Sequence, residues 1–261
     1  MRALRLLWLF LRLGTLNDLQ YRTDFFIQCV QSLLGLVTAL AGLVVVFDQT
    51  DNLRGWRRDE LLALIGVYFI VRGLIDLVIR PSMERLMEGV RLGTLDFTLT
   101  KPADAQLLVS VRQVQIWKLV DVVLGLVLLG VALARLGNSV GLGTAALFVV
   151  ALLAGTAIVY SFLLILATCA FWFVRLENIL VIFGSMYEAG RWPVGIYPPW
   201  LRAALTFLVP VAFAITVPTE GLVGRLAWPA LLGAVALAAA FILASRLFWR
   251  IGLRHYTGAS A

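Results

Sequence analysis

The chain has 261 residues, of which 61% are hydrophobic and 14% charged, with a mean hydropathy of +0.94 and a net charge of +7. Soluble domains carry about 25% charged residues, so this composition predicts an integral membrane protein and excludes a soluble catalytic domain. A single histidine and two cysteines in apolar runs, Cys29 and Cys169, favour neither a metal site nor a disulfide. Arginines beside span ends are typical of headgroup contacts, so nucleic acid is not a predicted partner.

Residues 1–20 are predicted to form an amphipathic helix that lies on the membrane surface. Leu4, Leu7, Trp8 and Leu11 fall on one helical face. Arginines interrupt the apolar run that a cleavable signal peptide requires, so none is expected.

Six apolar segments are predicted as spans, which makes the chain an all-α polytopic membrane protein with one transmembrane domain over residues 1–261. The fifth segment is short, so we expect that span to include residues before Glu177. The side shared by the two termini and the loop 82–106 carries more Lys and Arg, which predicts cytoplasmic termini. The approximate spans are Phe25–Phe47, Leu61–Ile79, Ile116–Ala134, Thr144–Phe171, Ile179–Ala189 and Leu226–Leu247.

Residues 190–224 form an apolar run that prolines interrupt at positions 193, 198, 199, 210 and 218. Each proline removes a backbone donor, and freed backbone groups at membrane depth need protein or water partners. The pattern predicts a re-entrant helical hairpin before the last span, on the outer side.

The loop 82–106 is predicted to lie on the cytoplasmic side and carries apolar residues that a bare linker does not need. Met83, Leu86, Met87 and Val90 recur at helical spacing among Glu84, Arg85, Glu88 and Arg91. Such a segment either docks into a groove on a partner or packs against its own span ends; the pattern favours docking.

Two charge pairs fall inside predicted spans. Arg72 and Asp76 are four residues apart, and Lys118 and Asp121 are three apart. Each pair can neutralise itself on one helical face, which favours a structural role over a proton or ion relay. The chain has no phosphate-binding GxxxxGK[ST] loop, HExxH pair or GxSxG elbow, so any ATP hydrolysis belongs to another polypeptide.

The layout resembles that of the type-2 ABC permeases, the membrane subunits of ABC exporters. The resemblance rests on the hairpin sequence of Tyr197–Pro218, YPPWLRAALTFLVPVAFAITVP, and on GTLDFTLTKPAD and FWRIGLRHYTGASA. The last two of these motifs resemble, more narrowly, a branch of poorly characterised bacterial permeases.

The resemblance implies a transport subunit that is not an enzyme and binds no cofactor, with ATP and Mg on two copies of a partner ATPase. It also implies a second permease subunit, a heterodimer being slightly favoured over a homodimer, and location in a bacterial inner membrane. The residues that match the family pattern are an interface helix (Arg5, Trp8, Arg12), a coupling helix (Met83, Glu84, Arg85, Leu86, Met87, Glu88, Arg91) and an outer gate (Tyr197, Pro198, Trp200, Pro210, Pro218).

Two other functional classes stay open at this point. One is an ion- or proton-coupled secondary carrier that acts through Arg72/Asp76 and Lys118/Asp121. The other is a membrane-embedded scaffold or enzyme, for which no catalytic cluster can be assembled from the sequence.

Overall fold

The computed structural model describes residues 22–137, 141–173, 176 and 178–256. Within these residues all regular structure is helical, apart from an isolated β-bridge between Leu53 and Trp56. The predicted surface helix, residues 1–20, lies outside the described residues. The helices are α1 (Arg22–Phe47), α2 (Arg58–Arg91), α3 (Asp96–Leu99), α4 (Ala105–Ser110), α5 (Ile116–Leu136), α6 (Leu142–Phe171), α7 (Ile179–Tyr187), α8 (Pro199–Leu208), α9 (Ala212–Leu222) and α10 (Trp228–Arg254).

Among the described residues, five helices are long and apolar enough to cross a membrane: α1, α2, α5, α6 and α10. The helices α8 and α9 meet at a bend of 79° and would give a sixth span if they were taken as one. We call the two ends of the bundle the 48–57 end and the 92–115 end, after the connecting segments found there. The all-helical, polytopic architecture predicted from the sequence is therefore confirmed, with five continuous candidate spans, or six if the bent pair is taken as one.

The predicted fifth span is shorter than a membrane crossing. It begins at Ile179, and α7 is followed only by a 3₁₀ turn over Glu188–Arg191. At 1.5 Å per residue, this helical stretch covers about 20 Å, whereas the hydrocarbon core measures about 30 Å. Leu176 and Asn178 are not helical. The expectation that the helix extends before Glu177 is wrong, because asparagine favours helix boundaries over helix interiors.

The second helix lies at the centre of the bundle. Its most apolar window is 78% buried within the chain, against 11% for α1. Along α2 the residues from Leu61 to Val71 are almost all inaccessible, and they contact α5 along most of their length. The exposed faces of α1 and α10 are apolar, as lipid or a partner subunit requires.

Three prolines each follow a π-helical turn by two residues. Pro81 follows the turn Ile75–Ile79, Pro210 follows Ala204–Leu208, and Pro218 follows Ala212–Thr216. A proline ring clashes with the carbonyl four residues earlier and cannot donate to it. Widening the preceding turn by one residue relieves this clash, which explains why α2 continues through Pro81 instead of ending there.

The turn before Pro81 is also the point at which the segment that leads into α5 is hydrogen-bonded to α2. Leu77 lies four residues before the proline, and its carbonyl accepts a hydrogen bond from the Gln115 backbone at 2.8 Å. The Ser82 hydroxyl bridges the Gln113 backbone, donating to its carbonyl at 3.0 Å and accepting from its N–H at 3.2 Å. The carbonyl that proline leaves free thus fixes the start of α5 beside α2.

Glycines allow α2 and α5 to pack with their backbones in contact. A methyl group at Gly125 would lie 2.7 Å from the Gly66 carbonyl oxygen and 2.7 Å from the Ile70 nitrogen. A methyl group at Gly73 would meet the Val122 backbone at 2.9 Å. Small residues at such crossings are a common device of membrane helix packing.

Gly125→Ala should therefore lower the stability of the protein in detergent by about 1–3 kcal/mol, because the added methyl forces the two backbones apart. Gly130→Ala on the same helix is the matched control, since nothing lies within 4 Å of a methyl group there. Thermal denaturation of the two purified variants tests this; equal melting temperatures would contradict the close packing.

Candidate functional site

The intramembrane charges predicted on α2 lie at its π turn. Asp76 is within Ile75–Ile79, and Arg72 stands one turn before it. Arg72 Nε lies 3.7 Å from Asp76 Oδ2, so the predicted pair between these residues is present. The π turn also brings Arg80 to Asp76, with 3.8 Å between Nη1 and Oδ1.

The second predicted pair is arranged differently. Lys118 Nζ lies 3.9 Å from Asp76 Oδ2, across the interface between α5 and α2. Among the described residues Lys118 forms no ion pair with Asp121, which is buried against Gly73. Asp76 therefore attracts the lysine away from its own helical neighbour, and the expectation that Lys118 and Asp121 neutralise each other is wrong.

The residues around Asp76 join a wider charge cluster that includes two side chains from the turn after α7. Arg72 Nη1 donates to the Tyr68 hydroxyl at 2.9 Å and lies 3.4 Å from Glu188 Oε1. The same carboxylate lies 3.5 Å from Arg191 Nη2. The charge cluster consists of Arg72, Asp76, Arg80, Glu84, Lys118, Glu188 and Arg191.

A cavity of about 460 Å³ opens between α2 and α7 beside this cluster. Tyr68 and Tyr187 stack on one another in its wall, with ring centroids 5.5 Å apart. The hydroxyl of Tyr187 is buried and has no hydrogen-bond partner among the described residues. The remaining wall combines charged, apolar and small polar residues: Arg72, Ile75, Asp76, Arg80, Val181, Phe183, Gly184, Ser185 and Glu188.

The predicted coupling residues occupy the last turns of α2, which continues as one helix to Arg91. Their apolar members, Met83, Leu86 and Met87, are buried in the core of the chain itself. The simple docking expectation is therefore wrong for these three, because the amphipathic face that the sequence displays is covered by the bundle. The charged members Glu84, Arg85 and Arg91 are exposed, and Arg85 pairs with Glu88.

The segment after α2 exposes apolar side chains at the 92–115 end. Gly93, with a φ of 67°, ends α2, and the Thr94 N–H donates back to the Gly89 carbonyl at 2.9 Å. Leu92 is exposed just before this cap, and beyond it Leu107 is exposed and Phe97 is 74% exposed. This exposed apolar surface consists of Leu92, Phe97 and Leu107.

The same segment is tied to the end of the last helix by one arginine. Arg246 of α10 donates from Nη1 to Asp104 Oδ1 at 2.9 Å and to Gln106 Oε1 at 2.8 Å, and its Nη2 donates to Asp104 Oδ2. Asp104 also caps α4 by accepting from the Gln106 and Leu107 backbones. The hydrogen bonds from Arg246 hold the pKa of the Asp104 carboxyl below its ordinary value.

The predicted gate residues surround the turn between α7 and α8 and the bend between α8 and α9. The Tyr197 hydroxyl donates to the Ala189 carbonyl at 2.9 Å, while Pro210 and Pro218 are buried. Pro198 and Trp200 are exposed and do not contribute to the packed part of the hairpin. Three of the five predicted residues thus shape the segment by contacts within it.

Polar contacts connect this segment to the 48–57 end. Arg54 and Arg202 both donate to the Gly195 carbonyl, at 3.1 and 2.7 Å. After α9, Arg225 Nη2 donates to both oxygens of Glu60 at 2.7 Å, and its guanidinium lies over the Trp56 ring. Glu60 also accepts from the Arg57 backbone at 2.7 Å, so this nearly inaccessible carboxylate is well satisfied.

Sequence reasoning missed several members of these contacts. Arg80 was not paired with Asp76 from the sequence, although the two residues are four apart and this spacing could have indicated the pair. Glu60 with Arg225 and Asp104 with Arg246 are more than 100 residues apart in the chain, so no local pattern could have found them. The interface residues Arg5, Trp8 and Arg12 lie outside the described residues.

The long apolar helices make the chain a multi-pass membrane protein. The sequence model of a family described as ABC-2 family transporter protein matches residues 33–260. The chain belongs to this family and is a permease component of ABC transport, which associates with ABC ATPase subunits. A search of curated proteins found no match, and a search of solved structures found none either.

Proposed function

We propose that this chain is the membrane-spanning permease subunit of an ATP-driven exporter in a bacterial inner membrane. Two ATPase subunits bind ATP and Mg, and a second permease, more readily a related chain than an identical copy, completes the translocation path. The observation that carries this proposal is the family match over residues 33–260. The chain binds no cofactor in this scheme and has both termini in the cytoplasm.

The ATPase is proposed to dock at the 92–115 end, which is cytoplasmic in this orientation. The exposed apolar surface of Leu92, Phe97 and Leu107 lies there, and the last turns of α2 that lead to it expose the charges Glu84 and Arg85. An exposed aromatic residue with a charged rim is typical of an interface anchor. The buried residues Met83, Leu86 and Met87 then transmit movement through α2 and do not themselves touch the partner.

The bent pair α8–α9 is proposed to be a re-entrant hairpin that enters and leaves the membrane at the 48–57 end. Before α8, Gly195 contacts Arg54, and after α9, Arg225 contacts Glu60, so both ends of the pair meet the same end of the bundle. The bend lies deep, because a methyl group at Gly155 of α6 would meet the Phe213 carbonyl at 2.4 Å. In this scheme the hairpin is the outer gate.

Co-purification and vesicle transport test the exporter proposal. The permease, expressed with candidate ATPase and permease partners, is expected to form a complex whose transport in inverted vesicles requires ATP. Transport driven by a proton gradient without ATP would contradict the proposal and favour the secondary carrier.

Phe97→Ala should weaken binding of the ATPase by at least about tenfold, since truncating a central aromatic anchor costs roughly 2 kcal/mol or more. Folding should be unaffected because the side chain is already exposed. Phe207→Ala is the control, because Phe207 is 75% exposed on α8, far along the chain from the docking surface. Complex recovery after detergent extraction measures the effect, and equal recovery of both variants would refute docking at Phe97.

A further inference from the structure

The cavity between α2 and α7 offers more unused hydrogen-bond donors than acceptors. Arg72 donates through Nη1 to Tyr68 and Glu188, and Arg80 donates through Nε to Glu84. A guanidinium carries five N–H donors and no acceptor. Most donors of these two arginines therefore remain unused by hydrogen bonds within the described part of the chain, and both side chains line the cavity.

The carboxylates of the charge cluster are, by contrast, already surrounded by cations. Asp76 lies 3.7–3.9 Å from Arg72, Arg80 and Lys118, and Glu188 lies within 3.5 Å of two arginines. The charged groups that line the cavity balance, with Arg72 and Arg80 against Asp76 and Glu188. Because the carboxylates already have cations beside them while most arginine donors are unused, the site favours a ligand that brings acceptors, and a charged acceptor binds a guanidinium most strongly.

Tyr187 provides an independent observation. Its buried hydroxyl has no partner among the described residues, although its neighbour Tyr68 is hydrogen-bonded to Arg72. A buried polar group without a partner is rare in folded proteins and calls for an explanation. A ligand acceptor in the adjoining cavity would supply the missing bond.

Apolar side chains form a further part of the wall. Ile75, Val181 and Phe183 line the cavity next to the charged groups, and Val181 is exposed on the outer face of α7. A volume of about 460 Å³ is in the range of small-molecule sites. The site thus pairs donors with an apolar surface, as an amphiphile requires.

We propose that this cavity binds the acidic headgroup, a carboxylate or a phosphate, of an amphiphile. Arg72 and Arg80 receive the negative charge, Tyr187 donates a hydrogen bond, and the apolar wall contacts the first carbons of the chain. The headgroup belongs to a bilayer lipid or to an exported amphiphile. Its role as substrate rests on the proposed transport function, whereas binding can be measured on the permease alone.

The test uses the full chain in nanodiscs of phosphatidylcholine, which carries no net charge. Dodecyl phosphate is expected to bind saturably and at least about tenfold more tightly than dodecyltrimethylammonium, which has the same chain and the opposite charge. Equal binding of the two amphiphiles, or tighter binding of the cation, would overturn the proposal.

Variants locate the binding. Arg80→Gln should weaken the binding of dodecyl phosphate by about tenfold, and Tyr187→Phe should weaken it by about threefold or more. Tyr187→Phe removes a hydroxyl that bonds to nothing in the described fold, so its melting temperature should not fall; unchanged affinity in this variant would contradict the assigned role. Arg58→Gln, an exposed arginine at the far end of the same helix, is the control and should bind normally.

A second set of nanodiscs distinguishes the source of the headgroup. If added phosphatidylglycerol displaces dodecyl phosphate, the acidic-headgroup chemistry stands and the bilayer supplies the ligand. If dodecyl phosphate binds undiminished and stimulates ATP hydrolysis by the assembled complex, the ligand is an exported amphiphile. Absence of saturable dodecyl phosphate binding in nanodiscs of phosphatidylcholine alone, with ATP-driven transport intact, would refute this site and leave the exporter proposal standing.

Discussion

Arg246→Gln should leave the complex with the ATPase intact while lowering transport per ATP by about tenfold, equivalent to about 1.4 kcal/mol of coupling free energy. The reason is that Arg246 provides a direct contact through which movement can pass from the docking segment to the last helix. Arg246 joins the proposed docking segment to α10 through Asp104 and Gln106. Without the guanidinium, movement of the segment no longer reaches the last helix. Transport and ATP hydrolysis measured in the same proteoliposomes give the ratio.

Two further variants separate this connection from local folding. Asp104→Asn retains a good N-cap for α4, because asparagine caps helices as well as aspartate, yet it removes the charge. It should reproduce the coupling loss of Arg246→Gln. Arg250→Gln, one turn further along α10 and exposed, should couple normally. Normal coupling in Arg246→Gln, or equal loss in Arg250→Gln, would contradict the connection.

The Asp104–Arg246 contact also has a defined dependence on pH. Because the pKa of Asp104 is lowered in the folded protein, the contact contributes stability that is fully present above the unfolded pKa. That contribution is lost only as the pH falls through the lower folded pKa. We therefore expect coupling by this contact to be constant between about pH 6 and 8.

Glu60→Gln should lower the stability of the protein in detergent by about 2 kcal/mol and loosen the proposed hairpin. The Glu60 side chain is only 2% exposed and accepts two bonds from Arg225, which is partly accessible. The amide can accept at one atom only, so the bidentate contact is lost. Thermal denaturation measures stability, and thiol labelling of Val223→Cys, compared with the chain that lacks this substitution, measures the loosening.

A double-mutant cycle isolates the pair. If Glu60 and Arg225 act together, the variant carrying both Glu60→Gln and Arg225→Gln should be little worse than either single variant. Asp59→Asn, the neighbouring acid on the same first turn, serves as the control. Additive losses of stability in the cycle would show that the two residues act separately and that the Glu60–Arg225 pair does not hold the hairpin to α2.

The sequence by itself determined the class and most of the helical layout, because both follow from local signals. Hydropathy over about 20 residues defines a span wherever it lies, so α1, α2, α5, α6 and α10 were predictable. Prolines mark breaks through their own ring geometry, so the interruption at Pro210 was predictable as well. Charges four residues apart on a helix meet locally, which is why Arg72 and Asp76 were paired correctly.

The tertiary structure alone decided which of these residues work together. The amphipathic face of Met83, Leu86 and Met87 looks identical whether a partner or the chain's own bundle covers it, and only the packing of α2 shows that it is buried. Lys118 pairs with Asp76 because a glycine crossing brings α5 against α2. The contacts of Glu60 with Arg225 and of Asp104 with Arg246 join residues far apart in sequence, and no local periodicity encodes such distances.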